Sequence, residues 1–223
     1  MFIGHFAPAF VAAALTPKRP RLALYFIAAQ AVDWAFFAFL LLGIEHMRVS
    51  PGITAMNPMD LYHMPYTHSL LASAIWALGF GAIVWLVSRS MVAATWAGIV
   101  VVSHWLLDLL VHRPDLTIAG GDYRLGFGLW NSPSLAMPVE LILVLGAYWF
   151  YIARTKGPLV PPLILLTTML LLQAFDWFGP EPVAVGPGFS IMALLAFGLL
   201  TTMAFWVQST RWHKNTVGLA VAG

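Results

Sequence analysis

The chain reads as an all-α protein, a polytopic integral membrane helix bundle of about six transmembrane helices with a short N-terminal helix that enters part-way. Three observations predict this. The 223 residues are 61% hydrophobic and only 9% charged, with a mean hydropathy of +0.84, whereas about a quarter of a soluble chain is charged. Six apolar runs approach or reach the roughly 20 residues that span a bilayer. Basic residues flank those runs in a one-sided pattern.

The runs cover residues 22–43, 69–87, 91–111, 135–153, 159–178 and 189–208. A seventh, 2–15, is too short to cross at about 1.5 Å per residue. Pro8 must lie in its first turn or kink it. Lys18 is the first basic residue and follows this run, so no cleavable signal peptide is expected. Threading six crossings puts Lys18, Arg19, Arg21, Arg89, Arg154, Lys156, Arg211 and Lys214 on one side, and only Arg48, Arg113 and Arg124 on the other. By the positive-inside rule the larger group marks the cytoplasm, with the C-terminus. The longer connections, 44–68, 112–134 and 179–188, then face outward.

The net charge of +2 and pI near 9.1 fit cytoplasmic loops, and no basic stripe with interleaved aromatics speaks for nucleic acid. Cysteine is absent, so any metal must be held by His and carboxylates. One domain, 1–223, is expected, with its chemistry within 1–132 and only hydrophobic helices in 135–208.

Asp33, His104 and Asp108 lie inside apolar spans, and His5 lies in the short first run. An Asp at a helix centre costs about 2.5–3.5 kcal/mol on insertion scales, so each asks for a reason. Counted from the basic residues Arg21, Arg89 and Lys18, Asp33, His104 and His5 stand at about 18, 22 and 20 Å of helix. Three separate segments thus bring ionisable groups to one height. His104, Asp108 and His112 follow i, i+4, i+8 spacing, a ladder up one helical face toward the outside. His68 begins the antiparallel neighbour at the same end. Singly, each is more often a helix-packing hydrogen bond. Together, His5, Asp33, His68, His104 and Asp108 make a candidate metal site, open to the outer side. Glu140 is a further candidate ligand, base or bonded structural acid. Asp60 and His63 lie in the outer loop, His46 and His213 read as ordinary surface residues, and Trp105, Trp130 and Trp177 suit an aromatic belt.

The order Gly4-His5, Asp33, Tyr66-Thr67-His68-Ser69-Leu70-Leu71 and Ser103-His104-Trp105-Leu106-Leu107-Asp108 resembles the membrane-bound metal-dependent hydrolase family, also described as LexA-binding, inner-membrane-associated hydrolases. It is also distantly similar to zinc-dependent phospholipase C. His112-Arg113-Pro114-Asp115-Leu116 and Gly126 to Ser132 resemble a closer subgroup of small bacterial membrane proteins. The motifs cover the first 130 or so residues. Two positions depart: His63-Met64 stands where many members have His-Arg, and Asp33 stands without the Asp-x-Asp-His cluster.

The resemblance implies a metal site in a bacterial inner-membrane protein; with the residues' own chemistry, imidazole plus carboxylate suiting zinc, the leading expectation is a hydrolase of a lipid or lipid-linked phosphate ester working from the extracytoplasmic side. His112 or His63 would then serve as the proton donor and Arg113 would bind the phosphate, with membrane lipids as partners. Two other classes stay open: a permease or ion carrier using intramembrane His and Asp, and a non-enzymatic assembly protein. A carrier needs access from both sides, and the polar ladder runs only outward.

Overall fold

In the computed structural model, residues 1–16 and 21–214 are described; Lys18 and Arg19 lie outside them. The fold is an all-α helix bundle. Among the described residues five helices are long and apolar enough to cross a membrane: α4 (Leu70–Ser88), α5 (Met91–Val111), α6 (Pro133–Arg154), α7 (Val160–Phe178) and α8 (Pro187–Ser209). The run 22–43 is a bent pair of helices, a sixth span if the two are taken together. It comprises α2 (Leu22–Ala29) and α3 (Ala31–Leu41), bent by 50° at Gln30. The protein is therefore a multi-pass membrane protein whose spans match the apolar runs to within about two residues.

The short first run takes an unexpected place. A 3-10 turn, Ile3–Phe6, leads into α1 (Ala7–Leu15), with Pro8 in the first turn, where its missing N–H costs nothing. This segment sits at the centre of the bundle, against α2, α5 and α6. Its side chains from Ile3 to Ala14 are nearly all buried. A helix apolar all round is stable only when surrounded, and here Ala9, Ala12 and Ala13 let neighbouring helices close in.

Buried polar side chains hold its start. Glu140 on α6 accepts the N–H groups of Phe2 (2.7 Å) and Gly4 (2.9 Å), and Gln173 on α7 accepts that of Ile3 (3.0 Å). These N–H groups precede the helical ladder and have no partner within it.

Helices α4 and α5 form a tight hairpin. Ser69 and Ser90 cap their N-termini, and Arg89 makes the turn in the left-handed region. Gly81 and Gly98 let the two backbones touch, since a Cβ on either would lie 3.3 Å from the carbonyl oxygen of Ala94 or Ala77.

The longer connections carry structure that the hydropathy pattern does not show. Residues 44–68 contain an antiparallel hairpin of β1 (His46–Val49) and β2 (Met59–His63). The segment after α5 folds back onto the end of α5, with the N–H groups of Phe127 and Gly128 donating to the carbonyls of Leu109 and His112. Gly126 (φ +155°) passes against the backbone oxygens of His112 and Arg113, where no Cβ fits. At the opposite end, β3 (Thr155–Lys156) pairs with β4 (Trp212–His213). Buried Arg211 donates there to Thr155, Gly157 and Pro158. Arg21, Arg89, Arg154, Lys156, Arg211 and Lys214 all belong to this end, away from His112.

Candidate metal centre

Asp108, on the inward face of α5, is the hub of a buried cluster. Its Oδ1 lies 3.0 Å from His5 Nε2 and 3.4 Å from His112 Nε2, and its Oδ2 lies 3.2 Å from His104 Nε2 and 3.6 Å from His68 Nε2. Asp33 adds a second carboxylate, with Oδ1 3.3 Å from His68 Nε2 and 3.5 Å from His104 Nε2. Two triads, His5/His104/Asp108 and Asp33/His68/His104, each bring three potential ligand atoms within 4.8 Å of one another. Four parts of the chain thus meet. The central N-terminal turn supplies His5, the first turn of α3 supplies Asp33, the residue before Ser69 supplies His68, and the α5 ladder supplies the rest.

The far sides of the rings settle which nitrogens face inward. His104 Nδ1 lies 2.8 Å from the carbonyl of Ala29, the last residue of α2, one of the terminal carbonyls that a helix leaves without a partner. A carbonyl only accepts, so Nδ1 carries the proton. Thr67 Oγ1 is 2.6 Å from Glu45 Oε2 and 2.8 Å from His68 Nδ1. The hydroxyl gives its one proton to the carboxylate and accepts from Nδ1–H. Glu45 is itself buried and held by the N–H groups of Tyr66 and Thr67. His112 Nδ1 lies 2.9 Å from Asp115 Oδ1.

Three imidazoles therefore turn Nε2 toward two carboxylates while an acceptor holds Nδ1–H. A neutral Nε2 lone pair facing a carboxylate oxygen is repulsive unless a proton or a cation lies between. His104 Nε2 and Asp108 Oδ2 are buried without hydrogen-bond partners. For His112, just past the end of α5, burial opposes the charged form, but the Asp108 and Asp115 carboxylates outweigh it and raise the pKa to about 9. A metal ion at Nε2 would compete with that proton. The donor set, imidazole plus carboxylate with supporting acceptors behind, could hold a divalent metal ion.

All five residues singled out as metal ligands in the sequence meet here. His112, expected to act as a proton donor, is a sixth member of the cluster. His63 is elsewhere: it is exposed on β2, paired across the hairpin with His46 and stacked near it (5.6 Å). Arg113 is also committed elsewhere, since its guanidinium pairs with Asp60, which Arg48 also holds (2.6 Å), and with Asp115 (3.6 Å). Glu140 is the bonded structural acid. Trp105 and Trp130 are no belt: both are buried, Trp105 donating to the His68 carbonyl (3.1 Å) and Trp130 lying 4.3 Å from His112 ring to ring. Sequence reasoning missed Glu45, Thr67 and Asp115 as supports. The available signals were a lone acid at the end of a span and the carboxylate three residues after His112.

The cluster floors a cavity of about 310 Å³. Its walls are largely apolar, with Phe36, Phe37, Phe189 and Phe197 prominent; Asp176 and the Met1 ammonium, 3.6 Å from Asp108, add charged groups beyond the six cluster residues. Fold and site together define a class, that of polytopic membrane bundles with a buried His/Asp centre beneath an apolar cavity. No protein-family model, no curated protein and no solved structure matches the chain.

Proposed function

We propose that this protein is a membrane-embedded, metal-dependent hydrolase of a lipid or lipid-linked phosphate ester, working from the extracytoplasmic side of a bacterial inner membrane. The observation that carries the reading is the cluster itself, in which three imidazoles are held at Nδ1 by acceptors and directed by Nε2 at Asp33 and Asp108. His5, Asp33, His68, His104, Asp108 and His112 would hold one or two divalent ions, zinc by ligand chemistry. Bound there, the ion supplies Lewis acidity toward the ester and toward water. Glu45 with Thr67, the Ala29 carbonyl and Asp115 orient the ligand rings. Phe36, against His68 (5.0 Å), and Trp130, against His112, exclude bulk water. Among the described residues no lysine or arginine lines the cavity, so the ester's negative charge would be met by a bound ion together with the Met1 ammonium, 3.6 Å from Asp108, and not by a basic side chain. The basic end of the bundle, away from the cluster, supports a cytoplasmic C-terminus and an outward site.

The test is elemental analysis of detergent-purified protein together with a lipid-phosphate hydrolysis screen, wild type beside His104→Ala. The expected result is near-stoichiometric zinc or manganese and activity in the wild type, both lost in the variant, which still inserts normally. Activity lost with full metal retention counts against the ligand role. Transport in sealed vesicles dependent on Asp33 and His104 would instead favour a carrier. The support behind His68 has its own prediction. Thr67→Val removes the hydroxyl between Glu45 and Nδ1, and metal affinity by chelator competition is expected to fall about 10–100-fold. Unchanged affinity would mean the relay is only structural.

A further inference from the structure

We propose that the cavity above the cluster is a tail site, accepting a single hydrocarbon chain of a membrane amphiphile through a lateral opening between the outer halves of α7 and α8. The proposal rests on the hydrolase reading for the fate of the headgroup, but the tail site is an independent binding feature.

Helix α8 presents one face to the cavity at Phe189, Met192, Ala193, Ala196 and Phe197, the i, i+3, i+4, i+7, i+8 stripe of a single helical surface. In the middle of that stripe the two alanines leave the space. Leu172 and Phe175 of α7 and Phe36 and Phe37 of α3 line the remaining apolar wall. Phe175 and Met192 line the cavity yet are 55% and 52% exposed, so the space reaches the outside of the bundle at the α7–α8 seam. Both residues lie in the half of their helices nearer the cluster end. The surrounding outer surface is hydrocarbon-compatible, with Leu171 and Leu195 well exposed.

The occupant follows from charge and size. Among the described residues no lysine or arginine lines the wall, and the Met1 ammonium that does is paired with Asp108 (3.6 Å) at the cluster floor, so the upper wall offers no cation to an anionic group. Asp176, bonded to Gln173 at 3.0 Å, repels one. An uncharged chain is what the wall accepts, leaving the polar end of the molecule at the His/Asp floor. At about 310 Å³ the space lies at the small end of ligand pockets, suiting one chain and not a pair.

The test is photocrosslinking of the full-length protein in detergent. The probe is a lysophosphatidylcholine with a diazirine near the end of its acyl chain, used with a chelator present so that no hydrolysis occurs. Crosslinks are expected on cavity-facing positions of α3, α7 and α8. Ala196→Leu, which fills the space, should cut the yield about tenfold, while Leu195→Phe on the outward face leaves it unchanged. Ala193→Leu, at a half-buried position, serves if Ala196→Leu fails to fold. Wild-type yields in the cavity-filling variants, or crosslinks confined to outward positions such as Leu171 and Leu195, would overturn the proposal. Crosslinking in a protein that binds no metal would sink the hydrolase reading alone. Metal binding and hydrolysis of a short-chain substrate with no cavity crosslink would sink the tail site alone.

Discussion

Asp108→Ala is expected to abolish divalent-metal binding, with a loss of affinity well beyond the roughly 100-fold that a missing supporting partner costs. Among the described residues Asp108 is the one side chain within 3.6 Å of all four imidazole Nε2 atoms, so its removal takes charge and two oxygens from both halves of the cluster. Four buried rings then face one another with only Asp33 to share. Elemental analysis and isothermal titration with zinc read the loss directly, and a melting curve separates it from unfolding. Asp108→Asn keeps the shape and one acceptor oxygen, so a protein that melts like the wild type but holds no zinc would tie the effect to charge. If the wild type is metal-free and cannot be loaded, while Asp108→Ala merely melts earlier, the cluster is helix packing and the hydrolase reading fails.

Glu140→Ala should have the largest effect on stability. A single carboxylate oxygen accepts the N–H groups of Phe2 and Gly4. Leaving buried donors unpaired costs about 1–3 kcal/mol each. His5 directly follows Gly4, so loosening this turn also draws a ligand from the cluster. A thermal shift of several degrees and weakened zinc binding are expected together. Glu140→Gln retains an acceptor oxygen and is expected to stay near wild type in both measurements. Loss of metal in Glu140→Gln at unchanged stability would instead make Glu140 a ligand.

Some of this was legible in the chain. The spans were, because burial in lipid demands long apolar runs and each run is local. The α5 ladder was as well, because i, i+4 spacing within one helix defines a face whatever surrounds it. Asp33, His104 and His5 could be placed at a common height by counting residues from basic anchors, and His68 at the end of the antiparallel neighbour. The β1–β2 hairpin could not, since β1 and β2 are short and the aromatic and methionine residues there carry no clean alternation.

The roles of the polar residues divided along the same line. Their cost in an apolar span marks them as needing partners, and this is a property of each residue alone. Which partner each finds is decided across the fold. Arg113 is near His112 in sequence, yet Asp60, 53 positions away, takes its guanidinium. Glu140 reads as a fourth-span acid that could be a ligand, and only the central position of the N-terminal turn makes it an anchor. His112 belongs to the cluster because Gly126 lets the following segment close over the end of α5 and press Trp130 onto its ring. Sequence by itself determined that this is a membrane bundle with His and Asp at one depth, because hydropathy and helical spacing are short-range. Tertiary structure alone decided which of those groups meet and which are neutralised elsewhere. A buried polar atom's free energy depends on what lies within about 3 Å of it, and here those neighbours come from distant parts of the chain.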